Sequence, residues 1–530
     1  MGLKRDSVLY NAFVLSLSSL GLQCMGFLYR IAMSRMAGAQ VMGLYQLIMP
    51  AYSVIMACTC SGLTMAVSRV ASAVEAVGDT GSLRRIVPVS QMVFLALFAA
   101  IGLPVALGSR FISSTLLGDG RVRAALLLLL PCLFLTGFEN IYKNFFHGVK
   151  FVLPPIVSEL TEQFVRMTAA LTLFCLFLPC PEGEAAALIV VGMVVSEVFS
   201  VLILTGFYRR FWKRRGDLRR APGLSGPTLL KRIGSVALPV SAAGLLNSLL
   251  ASATTVIIPA RLMAAGVPEG EAMSSFGVMV GMTMPLLSLP SAFLFPLTTV
   301  LLPRISRYSV LREESQVRRK AGKAIQVTAL AAFPAFALMT AVGSPLAELI
   351  YRQPGAGEHI LPLGVMMLLS FYHAVTGTIL GGLGMQKKAS ASVVVTGVLE
   401  FSATWFLVRR YGIGGYAAAC LISEIAGVAL NLRWVFSAVP IRFRWKNWLV
   451  SPALAAAAGG LAARLLYVSL PGWAQWPRVL LSALACGGCY FAALRFLGLS
   501  FPRYLRDVLE RVPARRENTC HRPEKERNLL

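Results

Sequence analysis

Residues 26–69 read GFLYRIAMSRMAGAQVMGLYQLIMPAYSVIMACTCSGLTMAVSR. The stretch contains two long apolar runs, with Pro50 inside the second, and it keeps arginines at positions 30, 35 and 69. A charged side chain at the centre of a membrane helix costs on the order of 2.5–3.5 kcal/mol, so each one needs a partner or a wet cavity. The stretch therefore predicts two membrane helices that border a polar interior.

A second copy of this unit lies in the other half of the chain. Pro50 and Arg69 are 19 positions apart, Pro285 and Arg304 are also 19 apart, and both prolines follow a methionine. Constant spacing over a long distance indicates duplication better than any single match does. Two copies of a membrane-embedded unit, each with basic residues at matching depths, are typical of a transporter whose site lies between the halves.

The composition sets the fold class as an all-α polytopic membrane protein. The chain has 530 residues, of which 56% are hydrophobic and 14% charged, and apolar runs of about 20 residues recur along it. We count about 14 transmembrane helices, arranged as two six-helix lobes around a central cavity with two extra C-terminal helices. The predicted divisions are an N-terminal lobe at 1–208, a basic cytoplasmic linker at 209–232, a C-terminal lobe at 233–437, helices 13 and 14 at 438–500, and a charged cytoplasmic tail at 501–530.

The distribution of charge along the chain indicates its orientation in the membrane rather than a nucleic-acid partner. The formal net charge is +26, from 50 Lys and Arg against 24 Asp and Glu, and the basic residues concentrate in alternate connections between spans. Positive residues favour the cytoplasmic side and contact anionic lipid head groups. We therefore predict a multi-pass protein of the cytoplasmic (inner) membrane of a bacterium, with both termini in the cytoplasm.

The opening motif resembles a known family. An arginine-bearing first span is followed by GA-x-x-MGLYQ at 38–46, by Pro50, by Val-Ser-Arg at 67–69 and soon afterwards by Gly-Asp at 78–79. This pattern resembles the stage V sporulation protein B family, within the multidrug/oligosaccharidyl-lipid/polysaccharide exporter superfamily. The resemblance implies a two-lobed fold of fourteen helices that flips an undecaprenyl-linked sugar intermediate. In this branch that activity is associated with peptidoglycan of the spore cortex.

Arginines are the candidate substrate ligands. The chain is also similar to lipid II flippases, and that similarity implies that Arg30, Arg35 and Arg69 line a central cavity. Arg261 and Arg304, at the ends of predicted spans, complete a cationic set that suits a lipid diphosphate, because guanidinium groups stay charged and bind phosphate oxygens in pairs. Snorkelling to the membrane interface is the alternative explanation. The acidic residue that those flippases carry early in the second span is not matched here, where Tyr45 and Gln46 stand.

Acidic residues and prolines in the spans supply two further hypotheses. Glu139, His373 and Glu400 are candidates for coupling transport to Na⁺, H⁺ or the membrane potential. Hydrogen-bonded contacts between helices are the alternative role for Glu139 and His373. Pro50 and Pro285 are candidate hinges, although kinked helices are also ordinary in static membrane proteins.

The sequence favours a transporter over an enzyme. With four histidines and no HExxH or paired CxxC motif, it supports no metal site, no cofactor and no catalytic residue. The expected partners are a lipid-linked sugar and membrane lipids, with cell-wall synthesis enzymes as further candidates and no nucleic acid. Two other functions stay open: a cation-coupled drug or metabolite antiporter using Glu139 or Glu400, and a non-transporting cell-wall scaffold. A polyprenyl-phosphate transferase is disfavoured because the few aspartates are scattered.

Overall fold

The computed structural model describes residues 8–215, 224–293, 295–353, 355–441 and 444–499. Within these ranges the regular structure is helical, and no described residue lies in a β-strand. Thirteen helical stretches among the described residues are long and apolar enough to cross a membrane. The predicted all-α polytopic fold is confirmed. The predicted tail at 501–530 lies outside the described residues.

The α-helices are numbered in chain order. The first half of the chain comprises α1 (Val8–Met56), α2 (Gly62–Val77), α3 (Thr80–Leu107), the short α4 (Ser109–Phe111), α5 (Arg123–Gly148), α6 (Leu153–Phe177) and α7 (Glu182–Arg215). The second half comprises α8 (Gly226–Met263), α9 (Glu269–Phe276), α10 (Met284–Ser288), α11 (Phe295–Val310), α12 (Glu314–Tyr351), α13 (Ile360–Gly382), α14 (Gln386–Tyr411), α15 (Ile413–Ala438), α16 (Ser451–Ser469) and α17 (Gln475–Phe496). Short π-helical segments at Ala57–Ser61 and Gly277–Thr283 continue α1 into α2 and α9 into α10.

Gly38 turns the first of the thirteen stretches into two membrane crossings. The stretch Ser18–Val77 has 60 residues, so as one straight helix it would be about 90 Å long, roughly three times the hydrocarbon core of a bilayer. Gly38 interrupts it with a φ of 81° and a ψ of 176°, a conformation that only glycine adopts without strain. Divided at this break, the thirteen described stretches amount to fourteen candidate crossings, the number that the sequence predicts.

Alternating crossings define two sides of the molecule. We call "the basic side" the one that holds the connections after α2, α5, α7, α11, α13 and α15, which include the basic segments of the sequence. We call "the opposite side" the one that holds the Gly38 break and the connections after α3, α6, α8, α12, α14 and α16. The sequence predicts that the basic side is cytoplasmic.

Helix α8 contacts both halves of the chain. Its first turns contribute Leu229 and Ile233 to the hydrophobic core formed by α2, α3, α5 and α7, whereas its later part packs against α14 and α9. The last pair, α16 and α17, packs on α12 through a separate small core that includes Tyr490. The division into lobes at residue 233 stays a prediction, since α8 is shared between the two halves.

Candidate functional site

Side-chain contacts connect the two halves on the opposite side. Arg35, at the end of the first crossing, donates hydrogen bonds from Nε to the carbonyl of Ile350 (2.6 Å) and from Nη2 to the carbonyl of Leu349 (2.8 Å), at the end of α12. Arg121 Nη2 lies 2.9 Å from Glu269 Oε1 and pairs also with Asp119 at 2.7 Å. These contacts join the halves on the opposite side.

Two glycines permit this close approach. A Cβ at Gly277 would lie 2.0 Å from the Ala39 carbonyl oxygen, and a Cβ at Gly43 would lie 2.3 Å from the Met273 carbonyl oxygen. Real Cβ atoms do not come this close to backbone, so the second crossing can touch α9 and the π segment after it here only through glycine. The closure of the opposite side therefore depends on small side chains at both positions.

A cavity of about 800 Å³ lies in the second half of the chain, towards the basic side. It is bounded by α11, α13, α14 and α15, and its polar lining includes Ser370, His373, Gln386, Glu424 and Asn431. All of its lining residues belong to the second half, so this cavity lies within that half rather than between the two halves.

A hydrogen-bonded set around His373 lies on the wall of this cavity. His373 Nδ1 is 2.9 Å from Glu424 Oε2, and His373 Nε2 is 3.2 Å from Ser392 Oγ. Asn431, which is buried, donates to the His373 carbonyl at 3.3 Å. Glu400, on α14, accepts a weak hydrogen bond from Cys420 Sγ at 3.9 Å. The structure thus joins His373 to Glu424, a partner that the sequence does not indicate.

A charge network lies inside the first half, between α5, α6 and α7. Lys143 Nζ is 2.6 Å from Glu139 Oε1, 3.3 Å from Glu162 Oε2 and 3.6 Å from Glu159 Oε1. Glu139 is 2% exposed and also accepts a hydrogen bond from Ser200. The side chain of Glu139 is therefore buried within its half of the molecule rather than facing an open cavity.

Arg166 extends this network to α7. Its guanidinium pairs with Glu162 and lies 3.3 Å from Glu197 Oε1, and its Nε donates to Ser196 Oγ at 3.3 Å. The other carboxylate oxygen of Glu197 is buried and has no hydrogen-bond partner among the described residues. The i, i+4 pair of Glu162 and Arg166 is therefore only one part of a larger network.

The network holds more acids than bases. Four carboxylates (Glu139, Glu159, Glu162 and Glu197) face two cations (Lys143 and Arg166). Oxygens of Glu139, Glu162 and Glu197 lie within 4.8 Å of one another, a spacing that a metal ion could use. The Lys143 ammonium already contacts Glu139 and Glu162, and so supplies the positive charge that a metal ion would bring.

The two polar clusters occupy equivalent places in the duplication. Glu139, Ser158 and Arg166 are followed 234 residues later by His373, Ser392 and Glu400, on α13 and α14 in place of α5 and α6. At the third position the first half carries a base and the second half carries an acid. The repeat thus preserves the polar positions while it changes their charge.

Arg30 and Arg69 are the predicted cavity arginines that stay exposed without partners. Neither side chain forms a hydrogen bond or an ion pair with any residue that the structure describes. Arg30 lies two turns before the Gly38 break, and Phe27, just before it, packs edge-on against Tyr351 of α12 with ring centroids 6.4 Å apart. Arg30 is therefore placed beside the junction between the halves.

The other three predicted arginines differ from these two. The Arg35 guanidinium is engaged by the carbonyls of Leu349 and Ile350. Arg261 donates from Nε to the Trp405 carbonyl at 3.0 Å and stacks 4.0 Å above the Trp405 ring. Arg304 is half-buried near the end of α11. The role of all five arginines in binding substrate stays a prediction.

The two candidate hinge prolines lie in helices that carry π-helical segments. Pro50 is buried in α1, seven residues before the π segment Ala57–Ser61, and its carbonyl accepts a hydrogen bond from Ser252 of α8 at 3.2 Å. Pro285 is buried in α10, directly after the π segment Gly277–Thr283. Both crossings thus combine two known causes of helix bending.

Comparison with known proteins identifies relatives over most of the chain. Residues 8–309 match the family model described as polysaccharide biosynthesis protein. Stage V sporulation protein B of Bacillus subtilis (strain 168) is 23% identical over 96% of this chain and 98% of its own length. The lipid II flippase MurJ of the same organism is 22% identical over 80% of this chain and 81% of its own length. The resemblance drawn from the opening motif is confirmed.

A solved structure shares the fold. The structure described as lipid II flippase MurJ in an inward closed conformation superimposes with a TM-score of 0.69, covering 94% of this chain and 100% of that chain at 11% identity. The relatives are described as a flippase and a sporulation protein rather than as enzymes, in agreement with a transporter.

Proposed function

Because this chain belongs to the polysaccharide biosynthesis protein family, we propose that it is a flippase for an undecaprenyl-diphosphate-linked sugar intermediate. The proposed substrate is a peptidoglycan precursor such as lipid II, in synthesis of the spore cortex. The relatives named as a sporulation protein and a lipid II flippase support this choice. The protein would act in the cytoplasmic membrane of a bacterium, with both termini in the cytoplasm, and cell-wall synthesis enzymes are its candidate partners.

The observation that carries the proposal is the exposed guanidinium of Arg30 within a membrane span. A cation at this depth with no described partner needs water or an anionic ligand. A diphosphate that joins a polyprenyl chain to a sugar carries one negative charge on each phosphate, and a guanidinium binds phosphate oxygens in bidentate fashion. The acyl chain of such a substrate would stay in the lipid while the diphosphate and sugar occupy the space between the halves.

The joined opposite side suggests how transport proceeds. In the present conformation the contacts of Arg35 and Arg121 close the opposite side, so a substrate would enter from the basic side. The halves would then rock about Pro50, Pro285 and the shared helix α8, break the opposite-side contacts and release the substrate there. This sequence is alternating access.

The excess of acids in the first-half network is the proposed coupling element. Glu139, Glu162 and Glu197 are little exposed and outnumber the two cations by one. Such a surplus of negative charge in a low-dielectric interior favours uptake of a proton or a cation. The unpartnered, buried oxygen of Glu197 is the position where a proton would reside. We propose that Glu139 acts within this network, and that His373 and Glu400 act at the equivalent place in the second half.

A drug or metabolite antiporter is the second candidate function. The 800 Å³ cavity favours it, because Glu424 and His373 are its ionisable lining residues and no arginine lines it. A cationic substrate would bind such a wall, whereas a diphosphate would bind near Arg30. The two functions therefore predict opposite charge preferences.

Binding of a soluble analogue tests the proposal. The purified protein is titrated with a short-chain polyprenyl diphosphate N-acetylglucosamine, with the same glycoside lacking phosphates, and with an organic cation. We expect the diphosphate to bind most tightly and Arg30→Ala to weaken it at least about tenfold, or about 1.4 kcal/mol. Arg209→Ala, which removes an exposed basic-side charge, should have little effect. Preferential binding of the cation would replace the flippase with the antiporter.

A further inference from the structure

A second cavity, of about 720 Å³, lies on the basic side, away from the polar cavity described above. It is formed by the first turns of α12 and by the connection between α15 and α16, and it shares no lining residue with the 800 Å³ cavity. Four basic side chains line it: Arg318, Arg319, Lys323 and Arg444. No acidic residue is among its lining residues, so the pocket is strongly cationic.

The pocket contains a buried polar group without a partner. Gln326 lines it, is 3% exposed, and its amide nitrogen has no hydrogen-bond partner among the described residues. A buried donor left unpaired costs about 1–3 kcal/mol, so natural proteins rarely keep one without a ligand or water. An acceptor bound in the pocket would satisfy this donor.

The arginines of the pocket have no partners within the described ranges of the chain. The side chains of Arg318, Arg319 and Arg444 form no hydrogen bond or ion pair there. Basic residues at this side are expected from orientation alone, but orientation does not require that they converge on a concave site. The cavity and the unpaired amide distinguish this group from the exposed cluster at the end of α7.

Two features set the chemistry of the ligand. The basic groups and the Gln326 amide are all donors, which suits an anion with several acceptor oxygens. Pro440, Ile441 and Trp448 add an apolar wall, and Trp445 beside them is exposed, as is usual for tryptophan at the membrane interface. A group with oxygens on one side and hydrocarbon on the other matches this lining.

We propose that this pocket binds the phosphate group of an anionic phospholipid from the leaflet on the basic side. The bound phosphate links α12 to the connection that leads into α16 and stabilises the packing of the last two helices on α12. The site is separate from the transport site and does not depend on the nature of the transported substrate. Basic pockets between membrane helices on the cytoplasmic side are a known mode of lipid head-group recognition.

The test measures lipid binding by the full-length protein in detergent. Dioctanoyl phosphatidylglycerol, dioctanoyl phosphatidylcholine and inorganic phosphate are titrated separately while the unfolding midpoint and lipid adducts in native mass spectra are followed. We expect phosphatidylglycerol to raise the midpoint with one high-affinity adduct and phosphatidylcholine to have a much smaller effect. An equal effect of inorganic phosphate at the same concentration would overturn the lipid as the source of the phosphate.

Matched variants separate the pocket from general surface charge. Arg318→Gln with Arg319→Gln should weaken phosphatidylglycerol binding at least about tenfold, while Arg209→Gln with Arg210→Gln, which removes the same charge from the end of α7, should not. Gly322→Leu keeps every charge but fills the pocket, because a Cβ at Gly322 already lies 3.4 Å from the Trp448 ring. Equal losses in the pocket and α7 variants, or full binding by Gly322→Leu, would overturn the proposal.

Discussion

At the scale of single residues, the charged side chains within the spans fall into two groups, those that are paired with other side chains and those that are not. Lys143 and Arg166 are enclosed by carboxylates, whereas Arg30 and Arg69 are exposed and unpaired among the described residues. The first group stabilises the fold of the first half, and the second group is available to a ligand. A variant of each group should therefore fail in a different way.

Removing Lys143 should destabilise the protein. Lys143→Met leaves buried carboxylates uncompensated, so we expect the free energy of unfolding to fall by about 3–5 kcal/mol, measured by denaturant unfolding in detergent. Glu159→Gln is the control, because the Glu159 side chain is 37% exposed and should cost less than about 1 kcal/mol. The double variant Lys143→Met with Glu139→Gln should recover part of the loss, and no recovery would contradict the pairing.

Arg261 should behave as a packing residue. Arg261→Lys loses the bond from Nε to the Trp405 carbonyl and most of the stacking on the ring, so we expect about 1–2 kcal/mol of lost stability. Its transport rate per folded molecule should stay near that of the wild type. A large loss of transport without a loss of stability would instead place Arg261 at the substrate.

The ionisable residues of the candidate site could be predicted from the sequence, but the side chains that contact them could not. Glu139, Glu400 and His373 were identifiable because ionisable groups inside apolar runs are conspicuous. The contacts of Glu139 with Ser200 and of His373 with Glu424 join residues 61 and 51 positions apart, and no local pattern encodes the rotation of the helices that brings them together. Oxygens of Glu139, Glu162 and Glu197 converge for the same reason.

At the scale of the helices, we expect the contact of the second crossing with α9 and with the π segment that follows it to keep the opposite side closed. The Cβ added by Gly277→Ala would lie 2.0 Å from the Ala39 carbonyl oxygen. The two segments must therefore move apart. We expect faster maleimide labelling of a single cysteine introduced by Gln40→Cys. Gly281→Ala is the control, because its Cβ would meet Met42 at an ordinary 3.4 Å. Equal labelling rates in the two variants would contradict the role of this contact.

The number of crossings was predictable, but their exact form was not. Fourteen apolar runs gave fourteen crossings because the bilayer fixes the length of an apolar helix. The crossing that begins with α9 includes a π-helical segment at Gly277–Thr283. Such a segment depends on packing against a neighbouring helix rather than on hydrophobicity, so hydropathy could not show it.

At the scale of the whole molecule, the proposed mechanism requires the two halves to part on the opposite side. A Cβ at Gly270 would lie 3.6 Å from Gln40 Nε2, so Gln40→Cys with Gly270→Cys, in a variant lacking the ten native cysteines, places a cross-link across this side. We expect a short thiol cross-linker to stop transport and reduction to restore it. Either single-cysteine variant should be unaffected, and full transport by cross-linked protein would rule out alternating access.

The duplication was visible in the sequence, but only the structure shows what surrounds the residues of opposite charge at equivalent positions. Arg166 and Glu400 stand at equivalent positions, yet the first is neutralised by two carboxylates and the second is not paired with a base among the described residues. The constant spacing in the sequence identifies such equivalent positions, and the packing of the helices determines which charged residues surround each one. The halves therefore share a scaffold while differing in electrostatics.

We propose that this protein flips a lipid diphosphate with the help of Arg30. The most direct test is flipping of an undecaprenyl-diphosphate-linked disaccharide-pentapeptide in proteoliposomes without nucleotide, comparing wild type, Arg30→Ala and Arg209→Ala. We predict that wild type and Arg209→Ala flip the substrate, while Arg30→Ala, folded and inserted equally well, loses most of the activity. Flipping by Arg30→Ala at the wild-type rate would rule out the proposed role of Arg30, and no flipping by well-folded wild type would rule out the proposed substrate.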